Sequence, residues 1–127
     1  MTPDEIEARL RRLLPDLPAE ESAKTLGAWR DRIDLVDRLI LALLNDRAVS
    51  ANEIGRIKKT LGLPVYVPSR EQEVIDNVKS SNRGPLPDRA VQHLFERIID
   101  EIRSLERRNY QDEPGTAGGR KGSSNGD

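Results

Sequence analysis

Through the middle of the chain apolar residues return every seven positions on two ladders. One reads Leu26, Ile33, Ile40, Arg47, Ile54, Leu61 and the other Trp29, Val36, Leu43, Ser50, Ile57. This is an a/d seam of the coiled-coil kind, broken once by the neighbouring polar pair Arg47 and Ser50. The segment runs from near Ser22 to Gly62 without a proline, and only the tolerated Gly27 and Gly55 interrupt it. The pattern predicts one very long helix. From Leu26 to Leu61 such a helix is about 50 Å long. A compact chain of this size has a radius of gyration of about 14 Å, so its own residues cannot cover that rod. The seam predicts a second copy of the chain as its cover, a homodimer.

Shorter elements flank this rod. Thr2-Pro3-Asp4-Glu5 is a helix start, with Thr2 as N-cap, Pro3 in the first turn and Glu5 completing a capping box. Ile6, Leu10, Leu13 and Leu14 then form a stripe that ends before Pro15 and Pro18. After Gly62, which caps the long helix, Leu63 to Pro68 reads as an extended connector. Ser69 is expected to open another helix, with Gln72 completing its capping box and Val74, Ile75 and Val78 on its apolar side. The loop Ser80 to Pro87 leads to Asp88, the expected N-cap of a last helix carrying Val91, Leu94, Phe95, Ile98, Ile99, Ile102 and Leu105. From Pro114 onward Gly, Ser, Asn and charge dominate, the composition of a disordered tail. The expected fold class is all-α. Its organisation is an N-terminal helical extension over 1–22, a main domain over 23–110 and a tail over 111–127.

Composition narrows what such a fold can do. There are 21 basic and 22 acidic residues, so no global field steers the chain to nucleic acid or anionic lipid, and an anion site has to be local. Basic residues are intermixed with acids and aromatics make up only 3%, which also disfavours nucleic-acid binding. The absence of cysteine removes disulfides, thiolate metal sites and cysteine nucleophiles. A single histidine, His93, leaves no basis for a histidine zinc site or a Ser-His-Asp relay, so no metal is expected. No apolar run reaches the roughly 18 residues of a membrane span, and the acidic, proline-bearing start has no signal-peptide core. The expected location is cytoplasmic.

The candidate chemistry begins at the break in the seam. Arg47 reads either as a snorkelling or register-setting residue or as an anion ligand. Lys58 stands eleven residues on, only about 20° around the helix from Arg47, so the two side chains share a face three turns apart. Arg30 lies seventeen residues before Arg47, about 25 Å along the axis, and can serve the same pocket only from the other chain of an antiparallel pair. Taken alone it is a solvated residue beside Asp31 and Asp34. Glu71 suits a helix N-terminus, where Arg70 is unfavourable and asks for another account. Glu106 continues the stripe of Ile99 and Ile102, or else belongs to an exposed helix end among Arg103, Arg107 and Arg108.

The stretch LGAWRDRIDLVDRLILALLNDRAVSANEIGRIKKTLGLPVYVPSREQEVI, followed by HLFERIIDEIRSLE, resembles the all-helical (AroQ-type) chorismate mutases over roughly Ala23 to Arg108. The resemblance implies an intertwined homodimer of three-helix protomers, here with a short extra N-terminal helix. It implies cofactor-free conversion of chorismate to prephenate in aromatic amino-acid (Phe/Tyr) biosynthesis. By position, Arg30 from the partner chain and Arg47 would bind substrate carboxylates, and Lys58 a carboxylate and the ether oxygen of the breaking C–O bond. Arg70 would support the anionic end and Glu71 would accept from the ring hydroxyl. Glu106 stands where many relatives have glutamine, opposite Lys58 on the ether oxygen. Two departures are visible: Ile102 where many relatives have serine, and Val67 where some have aspartate. An isochorismate–pyruvate lyase or aminodeoxychorismate mutase uses the same scaffold. A non-catalytic regulatory module of the aromatic pathway is a further alternative, and an aromatic-pathway enzyme is a candidate partner.

Overall fold

The computed structural model describes residues 1–111, with side chains to residue 108. The expected tail lies outside the described residues. Within them the chain is four helices and no strand: α1 (Pro3–Leu13), α2 (Ala23–Leu61), α3 (Pro68–Ser81) and α4 (Asp88–Gln111). None of these helices is long and apolar enough to cross a membrane. The chain divides into two compact units, one ending at Asn45 and the other beginning at Asp46.

In the first unit the helix starts are fixed by short polar side chains. Thr2 Oγ1 accepts from the Glu5 N–H at 3.1 Å, and Glu5 Oε1 accepts from the Thr2 N–H at 2.7 Å. That reciprocal pair satisfies two of the donors a helix start leaves open. Ser22 and Thr25 repeat the device, with threonine in place of glutamate: Ser22 Oγ accepts from the Thr25 N–H and Thr25 Oγ1 from the Ser22 N–H. Thr25 is buried and its hydroxyl also donates to the Glu20 carbonyl at 2.8 Å. Arg32 donates to the Pro15 carbonyl, and its guanidinium lies 5.6 Å from the Trp29 ring centre. These contacts hold the proline-bearing link against the first turns of α2.

The C-terminus of α2 is closed by Gly62 at φ +71°, a conformation that costs glycine no Cβ clash. The Gly62 N–H donates to the Lys59 carbonyl and the Leu63 N–H to the Lys58 carbonyl, the paired bonds of a Schellman motif. The start of α3 differs from expectation. Proline forces its predecessor into extended backbone, so Val67 becomes the N-cap, Pro68 takes the first helical position and Ser69 falls inside the helix. No side chain caps α3; Gln72 instead donates to Asp76 at 2.9 Å. The start of α4 also shifts by one residue. Pro87 supplies the carbonyl that accepts the Val91 N–H, while Asp88 lies in the first turn and accepts from Asn82 Nδ2 at 2.8 Å.

In the second unit α3 packs on α4, with Ile75, Val91 and Ile102 as the buried apolar residues and Lys79 bonded to Gln92. The seam of α2 is another matter. Leu26, Trp29, Ile33, Ile40, Leu43, Ile54, Ile57 and Leu61 retain between 46% and 69% of their surface, so one chain does not cover them. Ile75, at 5%, carries far more of the packing. Ile75→Ala is expected to cost about 2–4 kcal/mol, read as a lower urea midpoint at unchanged slope.

Candidate active site

The C-terminal part of α2, the connector, the first turn of α3 and the last turns of α4 enclose a half-open cavity of about 990 Å³. Each segment contributes for a local reason. From α2 come Arg47, Ser50, Ala51, Ile54 and Lys58, so both polar interruptions of the seam face this space. Gly62 then turns the chain, and the extended connector brings Val65, Tyr66 and Val67 to the wall. Because Pro68 starts α3, Arg70 and Glu71 fall in its first turn and also line the cavity. From α4 come Ile99, Ile102, Arg103, Glu106 and Arg107, one side of a helix at three- and four-residue spacing.

Five of the six residues singled out by sequence meet here: Arg47, Lys58, Arg70, Glu71 and Glu106. Arg30, exposed on the N-terminal half of α2, is not among the lining residues. Glu106 is half-buried and lines the cavity, which removes the reading of it as part of an exposed helix end. Arg70, unfavourable beside a helix N-terminus, is accounted for in part by an ion pair with Glu73 one turn on.

Glu71 has a partner that the sequence reading did not foresee. Its carboxylate is ion-paired with Arg103 of α4. The Arg103 guanidinium also lies 4.6 Å from the centre of the Tyr66 ring and 3.8 Å from Asp100. Arg103, which one of the two alternatives for Glu106 set at an exposed helix end, is half-buried and part of the wall. The signal was present: Arg103 follows Ile99 by four residues and precedes Glu106 by three, beside the stripe both belong to. Ile102, in a position where serine was a family expectation, is buried and apolar.

Charge in the cavity is perturbed by the apolar wall. Burial pushes the Glu106 carboxyl above the usual range, against the pull of Lys58, then Arg103, then Arg47. Burial also lowers the Arg47 guanidinium, the charge of Arg70 adds to that, and Glu106 opposes it. Desolvation thus outweighs three neighbouring cations at Glu106. The cavity combines fixed cations suited to a small polyanion with one acid favoured in its neutral, hydrogen-bond-donating form.

Residues 29–107 match the family described as chorismate mutase type II. A bifunctional chorismate mutase/prephenate dehydratase of Aquifex aeolicus is 40% identical over 87 residues, 65% of this chain and 24% of that protein. A chorismate mutase of Methanocaldococcus jannaschii is 28% identical over 83 residues, 65% of this chain and 84% of that protein. The structure of a Thermus thermophilus chorismate mutase superposes with a TM-score of 0.63 at 41% identity, over 65% of this chain and 94% of that one. The chain therefore spans about a quarter of the length of the bifunctional relative.

The electrostatic balance at Glu106 can be measured directly. Lys58→Met removes the largest cationic pull on that carboxyl and leaves burial in place, so its pKa should rise further. A carboxyl-carbon NMR titration of both proteins reads the shift; a fall in the variant contradicts the stated balance.

Proposed function

Because the chain belongs to the chorismate mutase type II family, we propose that it converts chorismate to prephenate by an intramolecular Claisen rearrangement, in the branch supplying phenylalanine and tyrosine. The observation that carries this reading is the meeting of Arg47, Lys58, Arg70, Glu71 and Glu106 around one cavity. The reaction breaks one C–O bond and forms one C–C bond in the same step, so it needs no nucleophile and no cofactor. What it needs is a flexible dianion held in a compact, chair-like conformer, which converts lost freedom into rate. Arg47 and Arg70 are assigned to the carboxylates, and Glu71 accepts from the ring hydroxyl.

As the C–O bond breaks, negative charge gathers on the ether oxygen. Lys58 donates to that oxygen from one side and Glu106 from the other. Glu106 can donate only when protonated, and its raised pKa favours that form. The buried Ile102 adds no polar contact there, so Lys58 and Glu106 carry the ether oxygen between them.

The functional unit is a homodimer in which Arg30 reaches the cavity of the other chain. Support comes from the half-exposed apolar seam of α2 and from the place of Arg30 on the same helix, outside the cavity lining. A second chain laid along the seam covers those residues and supplies the missing cation.

Loss of chorismate absorbance on adding purified protein, with prephenate as product, tests the activity. Lys58→Met should lower kcat by about 10²–10³-fold. The rate should fall as pH rises through the raised Glu106 pKa, because the acid is the donating form below it and the carboxylate opposes the developing charge above it. Glu106→Gln stays neutral and should flatten that profile; a curve of unchanged shape overturns the role. For the shared site, mixing inactive Arg30→Ala and Arg47→Ala proteins should recover about a quarter of normal activity, since half of the dimers are hybrids and one of their two sites is intact. A mixture that stays inactive although hybrid dimers form shows that each site belongs to one chain.

A further inference from the structure

The contact between Arg103 and Glu71 changes what that carboxylate can recognise. A lone carboxylate in a partly dry cavity accepts a hydrogen bond from a hydroxyl, and it attracts an ammonium group still more strongly. We propose that Arg103 is a specificity-determining positioning residue: paired with Glu71 and stacked on Tyr66, it neutralises that carboxylate, so the cavity selects a ring bearing a neutral hydroxyl over one bearing a cationic amine. The inference rests on the rearrangement proposed above and supplies what the family likeness leaves open, the choice of ring substituent.

Three elements fix the arrangement. Arg103 comes from α4, Glu71 from the first turn of α3 and Tyr66 from the connector, and all three line the same cavity. The ring sits 4.6 Å from the guanidinium carbon, so it orients the plane of the fork as well as attracting its charge. The ion pair runs from Arg103 Nη2 to Glu71 Oε2, and a carboxylate has a second oxygen with lone pairs for a neutral donor. Asp100 competes weakly for the same guanidinium, at 3.8 Å and with 68% of its side chain exposed.

The other charges around the cavity act in the same direction. Arg47, Lys58, Arg70 and Arg107 are cationic, and Glu106 is favoured in its neutral form. Of the two acids lining the cavity, Glu106 has its charge opposed by burial, so Glu71 is the main attraction for a substrate ammonium entering that field. With Arg103 in place that attraction is offset, whereas a hydroxyl donor loses little.

The test compares chorismate with 4-amino-4-deoxychorismate, whose amine is an ammonium near neutral pH. Steady-state kcat and KM are measured for both substrates with the full chain and with Arg103→Leu and Arg103→Lys. The wild type should prefer the hydroxyl substrate in kcat/KM. In Arg103→Leu that preference should fall by about tenfold or more, chiefly through a lower KM for the amine. Arg103→Lys restores the charge and should hold the preference near that of the wild type, which a purely structural role does not predict. If Arg103→Leu does not fold, Tyr66→Leu removes the ring that orients the guanidinium and should lower the same ratio. An unchanged ratio in a folded variant, or a wild type that prefers the amine, overturns the proposal and leaves the rearrangement standing. A wild type that rearranges neither substrate sinks the rearrangement itself.

Discussion

An arginine and a glutamate share one apolar wall, and each is displaced from its ordinary titration by being taken out of water. The wall is built from Ile54, Val65, Val74, Ile99 and Ile102, drawn from every segment that borders the cavity. Without that surface Arg47 would be an ordinary solvated cation and Glu106 an ordinary carboxylate. Burial strengthens the field of the cations, because charge is poorly screened there. It also penalises ionisation of Glu106, one of the two acids that line the cavity. Attraction for a polyanion and the upward shift of the acid beside the cations follow from the same desolvation.

The wall exists only because the chain turns back where it does. Leu61 is followed by a glycine in left-handed backbone and, six residues on, by a proline that starts the next helix. These two residues set the connector length and hence which side chains of α3 reach the cavity. Had Ser69 capped α3, Arg70 and Glu71 would have stood two positions earlier in the helix, with about 200° of rotation between the two registers. The proline settles the register by backbone geometry, with no side-chain hydrogen bond at the cap.

Much of this was legible in the sequence, and the rest was hidden for definite reasons. The four helices, the Thr2–Glu5 box and the Gly62 stop follow from local rules, since each depends on residues within a few positions. The common face of Arg47 and Lys58 follows from helical geometry alone. What local rules missed were contests between neighbours: Pro68 against Ser69 for the start of α3, and Pro87 against Asp88 for the start of α4. The pairing of Glu71 with Arg103 joins residues 32 positions apart on different helices, and charge order along a chain does not encode such a meeting. Arg103 stands near Arg107 and Arg108 in sequence, and only its spacing from Ile99 and Glu106 sets it on the cavity side of α4.

Lys58 holds two unrelated posts. Its backbone carbonyl accepts the Leu63 N–H and so closes the turn that ends α2, while its side chain faces the cavity. The first task uses main-chain atoms that every amino acid possesses, and the second uses the side chain alone. Position 58 can therefore be explored with other helix-compatible side chains while the closing hydrogen bond is kept. Gly62, four residues on, has no such latitude, since its contribution is the backbone conformation itself. A lineage altering its chemistry thus has freedom at one position and almost none at the other, although both belong to the same turn.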